Sequence, residues 1–166
     1  MNIKRIVRHL FMPSWWPRRV FPPDALKRIE TAIRNTERTH GGQIRFAVEA
    51  ALHLVPLWHE LTARQRAIEV FSRLGIWDTE HNNGVLIYLL LADRDVEIVA
   101  DRGVHAKLGA AVWEHICRAM EAHFRAGRFE AGVQEGIHAV GEHLSQHYPP
   151  DSGHKRNELP DKPVVL

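Results

Sequence analysis

A single cysteine, Cys117, leaves the chain without an internal disulfide framework and without a zinc site built on paired thiolates. A lone cysteine in an apolar helical stripe ordinarily serves as a small core hydrophobe. Long apolar runs are also missing: Val85 to Ala92 has the length of a strand, far short of the ~20 residues that span a bilayer. The N-terminus lacks the uninterrupted apolar core and small-residue cleavage site of a signal peptide. A phosphate-binding glycine loop ending in Lys-Ser/Thr, a dinucleotide fingerprint, a nucleophile elbow and a two-aspartate phosphotransferase signature are all absent. The expectation is therefore no nicotinamide and no flavin cofactor.

Acid is missing from one place in particular. Residues 1–20 hold Lys4, Arg5, Arg8, Arg18 and Arg19 and no Asp or Glu. Those five come out of 22 basic residues, leaving 17 against 20 acidic ones, so the remainder carries −3 with its histidines neutral. The basic balance lives in the arm, and a nucleic-acid partner is not expected of the folded part. The hydrophobic share of 45% and charged share of 25% are those of a globular chain with one core. A cytoplasmic location follows as an expectation, with peripheral attachment at the inner face of the membrane as its variant.

Ile3, Ile6, Val7, Leu10 and Phe11 fall at helical spacing, so the arm opens as an amphipathic helix that Pro13 ends. Asp24 is the expected N-cap of a second helix carrying Leu26, Ile29 and Ile33. Alternation of Ile44, Phe46 and Val48 with Gln43, Arg45 and Glu49 predicts a strand with one polar face. An irregular stretch broken by Pro56 follows, and Thr62 and Gln65 at capping-box spacing start a helix with Ile68, Phe71 and Leu74. Asn82-Asn83-Gly84 is turn chemistry before Val85–Leu91, a run apolar on both faces and so a central strand. Asp93-Arg94 leads into Val96, Ile98 and Ala100 as a hairpin. One helix through Leu108, Val112, Ile116, Met120 and Phe124, and another through Phe129, Val133, Ile137, Val140 and Leu144, complete the reading. The division is an arm over 1–20, a domain over 21–149, and a tail over 150–166 that serves as a surface strap or is disordered.

Two stretches carry a family resemblance: Leu74-Gly75-Ile76-Trp77-Asp78 with Asn83-Gly84-Val85-Leu86-Ile87, and Val96 to Gly103. Phe124-Arg125-Ala126-Gly127-Arg128-Phe129-Glu130-Ala131-Gly132 adds a third. Together they resemble the TPM-domain family over roughly Phe21 to Pro149. The resemblance implies an α/β fold, a Rossmann-like three-layer sandwich with a short mixed β-sheet flanked by helices. It also implies kin that include an acid phosphatase of the thylakoid lumen, photosystem repair factors and membrane-tethered modulators, some of them calcium-binding. The chain departs from the family pattern in having Asn82-Asn83-Gly84 where Asp-Asn-Gly is common, and Asp101-Arg102-Gly103 where Gly-Tyr-Gly is common.

An antiparallel hairpin brings the start of its first strand and the end of its second to one edge. Asp78, Glu80, His81, Asn82 and Asn83 are thereby expected near Asp101 and Arg102, beside the start of the next helix. Asp78, His81, Asn82, Asn83, Asp101 and Arg102 make the candidate ligand site, with Asp101, Arg102 and His81 as candidate catalytic groups. Its oxygens suit Ca²⁺ or Mg²⁺, with Asp78, Asn82 and Asp101 as candidate ligands, although no cofactor is fixed by the sequence. The bland alternative is that the same residues are turn, cap and ion-pair chemistry. Glu49, Asp93 and Asp95 form a second candidate rim.

In the arm, Arg5, Arg8, Trp15, Trp16, Arg18 and Arg19 suit an anionic membrane surface or a protein partner; the alternative is an apolar stripe folded back onto the domain. The leading expectation is a non-catalytic or weakly catalytic interaction or assembly module. The competing one is a metal-assisted, acid-phosphatase-like phosphomonoesterase.

Overall fold

The computed structural model describes residues 3–53, 57–150 and 157–166; the Pro56 break lies outside them. Three helices lead the chain: α1 (Ile3–Leu10), α2 (Trp16–Val20) and α3 (Pro23–Glu37). The cap of α3 is Pro22, two residues earlier than the sequence suggested, because Pro23 at the first helical position needs no N–H partner. Asp24 instead sits in the first turn, facing the positive end of the helix dipole.

Strand β1 (Gln43–Glu49) is followed by α4 (Ala63–Arg73), β2 (Gly84–Leu90) and β3 (Asp95–Ala100). The capping box of α4 is formed, with the Gln65 N–H donating to Thr62 Oγ1 at 3.1 Å and the Thr62 N–H donating to Gln65 Oε1 at 2.9 Å. Its buried face runs through Ala63, Ala67, Val70 and Phe71, which leaves Ile68 exposed. Strand β1 runs parallel to β2 and β2 antiparallel to β3, as the intervening helix and the short turn dictate.

The last helical stretch divides into α5 (Arg102–Leu108), α6 (Ala110–Arg125) and α7 (Phe129–His147). Gly109, at φ 74°, breaks what the sequence suggested was one helix. The tail then returns as a strap, and β4 (Val164–Val165) adds to β1 in parallel, giving the sheet order β3-β2-β1-β4.

Helices α3, α6 and α7 cover one face of the sheet over Phe21, Ile29, Phe46, Ile87, Met120 and Phe124. Helix α4 covers the other over Ala47, Leu86, Tyr88 and Val70. The result is a mixed sheet between helical layers. All seven residues of β1 are buried, including its polar face. The strap explains this: Gln43 Oε1 accepts from the N–H groups of Glu158 and Leu159 at 3.0 Å each, and Arg45 donates to the carbonyls of Pro160 and Lys162. Buried polar side chains on β1 thus take up strap backbone groups that would otherwise lack partners.

Candidate functional site

The turn before β2 and the start of α5 do meet. Asp101 donates its N–H to the Gly84 carbonyl at 2.9 Å and caps α5 by accepting from the Arg102 N–H at 2.6 Å. A Cβ on Gly103 would stand 2.6 Å from the Asn82 carbonyl and 3.2 Å from that of His81, so the turn backbone rests directly against α5. Asn82 sits at φ 50°, a left-handed conformation that asparagine tolerates better than most residues.

Asn83 is the fulcrum of this rim. Buried, it donates from Nδ2 to the Gly41 carbonyl at 2.9 Å and from its backbone to Thr79 Oγ1 at 3.0 Å, while its carbonyl accepts from Gln43 at 3.1 Å. Two buried oxygens here, Asn83 Oδ1 and Asp101 Oδ2, have no hydrogen-bond partner among the described residues. Buried acceptors of this kind favour a donor or a cation beside them. Asp101 also acts on Tyr148, whose phenol is pushed up by burial first and by that carboxylate second.

The other candidates stay outside. Asp78, His81 and Arg102 are exposed, and no hydrogen bond or ion pair ties their side chains to a described residue. Glu80 turns toward the strap, its N–H donating to the Glu158 carboxylate. Helix α5 has seven residues and too little dipole to make an anion site by itself. No group of three or more His, Cys, Asp or Glu side chains suited to a metal ion occurs among the described residues. A cation here would be held by Asp101, the Asn83 amide and turn carbonyls, an oxygen set that fits Ca²⁺ or Mg²⁺ in kind. Tyr148 and Thr79 belong to this rim too; nothing in their spacing marks them.

The opposite rim, beyond the carboxyl ends of β1 and β2, is where open α/β sheets ordinarily carry their ligands. Here α1 occupies it. Arg5 Nε donates to Asp93 Oδ2 at 2.9 Å, Arg8 pairs with Oδ1, and His9 Nε2 lies 3.0 Å from Oδ1. His9 is fully enclosed, and its Nδ1 accepts from the Leu52 N–H at 3.0 Å. Burial alone would raise the Asp93 carboxyl, but His9, Arg5 and Arg8 together hold it well below the usual carboxylate range.

Helix α1 is therefore turned with Arg5 and His9 inward. Ile3, Val7, Leu10 and Phe11 are exposed at 65%, 46%, 57% and 75%, so the apolar stripe does not fold back onto the domain. Trp15 is exposed too, and the Arg19 guanidinium lies 6.0 Å from the Trp15 ring and 5.7 Å from Trp16. Lys4, Arg18 and Arg19 remain at the surface.

Glu49, the third member of that rim, points under the sheet. It accepts two bonds from Arg66, at 2.9 and 3.1 Å, and one from the Tyr88 hydroxyl at 2.6 Å. Burial first, and Glu49 second, push the Tyr88 phenol far up. Asp95 lines a separate cleft of about 470 Å³ between β3 and α6, together with Glu97, Trp113, Cys117 and Glu121. Burial, then Glu97 and Glu121, push the Asp95 carboxyl up to about 6. The Cys117 thiol, also pushed up by burial and Glu97, to about 12, is no nucleophile at neutral pH. Arg64 donates to the outward carbonyl of Ile98 at 2.5 Å, so the free edge of the sheet is partly closed.

Among the described residues no helix is long and apolar enough to cross a membrane. Curated proteins offer no match to the chain. Among solved structures, the BA42 protein of the psychrophilic bacterium Bizionia argentinensis is 28% identical, with a TM-score of 0.74 over 86% of this chain and 93% of that one. The N-terminal domain of a P. gingivalis protein shares the fold at 16% identity, with a TM-score of 0.62 over 86% of this chain and 95% of that domain. The family model for the TPM domain matches residues 17–143, most of the chain and all of the sheet except β4, and the protein belongs to the TPM-domain family.

Proposed function

We propose that this TPM-domain protein is a non-catalytic or weakly catalytic docking module that attaches reversibly to an anionic membrane surface through its N-terminal arm. Support comes from one observation above all, the inverted α1. Arg5, Arg8 and His9 are committed to Asp93 while its apolar face is left to solvent. Apolar side chains are worth about 1.5–3 kcal/mol each on full burial, so a stripe of four with an indole is an expensive surface unless something covers it. Tryptophan at the headgroup level and surface cations are the chemistry of such an interface, the cations contributing about 1 kcal/mol each. A domain that carries no enzyme motif and presents this face is suited to assembly or upkeep of membrane components.

The test is vesicle co-sedimentation with neutral and with 30–40% anionic lipid (roughly the range in which surface potential is felt). Wild type is expected to sediment with the anionic vesicles, and a Phe11→Ser/Trp15→Ser variant to stay in the supernatant. Equal behaviour of both proteins with both lipids would sink the membrane reading and leave a protein partner for the same face.

A second reading rests on the two unpartnered oxygens of the turn rim. A Ca²⁺ or Mg²⁺ ion held by Asp101, Asn83 and the turn carbonyls would supply Lewis acidity for phosphomonoester hydrolysis, with Arg102 free to steady a phosphate. Calorimetric titration of wild type and Asp101→Asn with each ion decides it. Saturable heat lost in the variant supports the site, and no heat removes both the ion and the phosphatase.

A further inference from the structure

Away from both rims, a cleft of about 600 Å³ opens between the end of α2, the start of α3 and the free edge of β4. Its walls are largely apolar: Phe21, Leu26, Pro163 and Val165. Three cations stand round it, Arg18, Lys27 and Lys162, all exposed and none in an ion pair with a described residue. The one acid present, Glu30, already binds Arg34 at 2.7 Å. An apolar cleft of this size, within the roughly 300–1,000 Å³ of ligand pockets, with a few convergent charges at the mouth, has the make-up of a ligand site.

We infer that this cleft binds a single-chain anionic amphiphile, a long-chain carboxylate or alkyl phosphate, with the alkyl chain on Leu26, Pro163 and Val165 and the anion between Arg18, Lys27 and Lys162. Charge complementarity selects the head group, since the mouth carries three free positive charges and no free negative one. The apolar floor selects the tail. An added peptide strand is disfavoured because β4 spans only Val164 and Val165, too short a ladder to hold one. The site shares Arg18 with the arm, but the exposed apolar stripe of Ile3, Val7, Leu10 and Phe11 takes no part in it.

The probe is monomeric decyl phosphate, titrated below its micelle concentration into the full chain and followed by calorimetry and by amide shifts around Leu26 and Val165. Saturable one-to-one binding is expected, with decanol at least tenfold weaker. Lys27→Glu/Lys162→Glu, two exposed changes, is expected to weaken binding tenfold or more, and Leu26→Trp to block it by filling the floor. A folded, titratable double-charge variant with unchanged affinity overturns the proposal, as does decanol binding equally well or no saturable binding at all. Vesicle sedimentation of the same charge variant, with the arm intact, separates the free amphiphile from lipid in a bilayer. Loss of decyl phosphate binding with retained sedimentation assigns the cleft to the monomer, and a cleft that responds only to vesicles overturns it.

Discussion

His9 and Asp93, one on the arm and the other in the turn after β2, stand 3.0 Å apart, and the imidazole that joins them also accepts the Leu52 N–H. With Nδ1 committed as an acceptor, the ring proton of a neutral imidazole lies on Nε2, 3.0 Å from the carboxylate but off the line of a hydrogen bond. The arm is thus tied to the ends of both central strands through one side chain.

Asp93→Asn is expected to loosen the arm. The variant leaves Arg5, Arg8 and His9 gathered round a neutral amide, at a cost of about 1–3 kcal/mol. Hydrogen exchange of the amides in α1 should quicken while those of β2 stay protected; unchanged exchange in α1 would show that other contacts hold it.

Acid should release the same contact in the wild type. Asp93 titrates lower in the folded chain than its ordinary 3.8, so its stabilisation is present above that value and is lost as pH falls below it. Exchange or limited proteolysis of the arm, followed from pH 5 downward in roughly half-unit steps, tests this.

Asp95 has the opposite sign. Its folded carboxyl is raised from 3.8 to about 6, so the folded state takes up a proton that the unfolded chain does not hold between those values. Its destabilising effect is therefore absent below that window and complete above pH 6. Asp95→Asn should raise stability at neutral pH by about 1–2 kcal/mol and give no gain near pH 4. Urea denaturation at the two pH values measures it.

Gly103→Ala ought to be favourable by helix propensity alone, by roughly 1 kcal/mol. The added methyl would instead meet the Asn82 carbonyl at 2.6 Å, and the turn has to move. A net loss of about 1–3 kcal/mol is expected, with amide shifts concentrated at His81 to Asn83. A stabilised variant would mean that the turn yields freely.

Glu49→Ala should be the costliest of these changes, about 3–5 kcal/mol, because it leaves half-buried Arg66 with only the exposed Glu69 and strips the buried Tyr88 hydroxyl of its acceptor. Tyr88→Phe removes only the 2.6 Å hydroxyl contact and should cost about 1–2 kcal/mol. Thermal unfolding of both variants orders them.

The sheet's centre could be read from sequence because Val85–Leu91 is apolar on both faces and a helix separates it from the alternating strand before it. Local capping was equally legible at Thr62 and Gln65, where two side chains satisfy two backbone groups within one turn. Val164 and Val165 were not, since two residues in a proline-containing tail have no period. The inversion of α1 was hidden for another reason. Amphipathicity says that one helix face is apolar, but which face turns inward depends on Asp93, distant in the chain. At the turn rim, topology correctly brought Asn83 and Asp101 to one edge. Side-chain direction, which left Asp78 and Arg102 in solvent, lies beyond what spacing encodes.

The pairing of β4 with β1 also bears on synthesis. From the time residues 43–49 are made until 164–165 emerge, the outer edge of β1 has no strand to close it, while its other edge can already join β2. An unpaired edge of a buried, apolar strand is a template for other chains. The emerging protein is therefore most prone to aggregation in the interval before β4 arrives, and removal of residues 164–165 would make that transient state permanent.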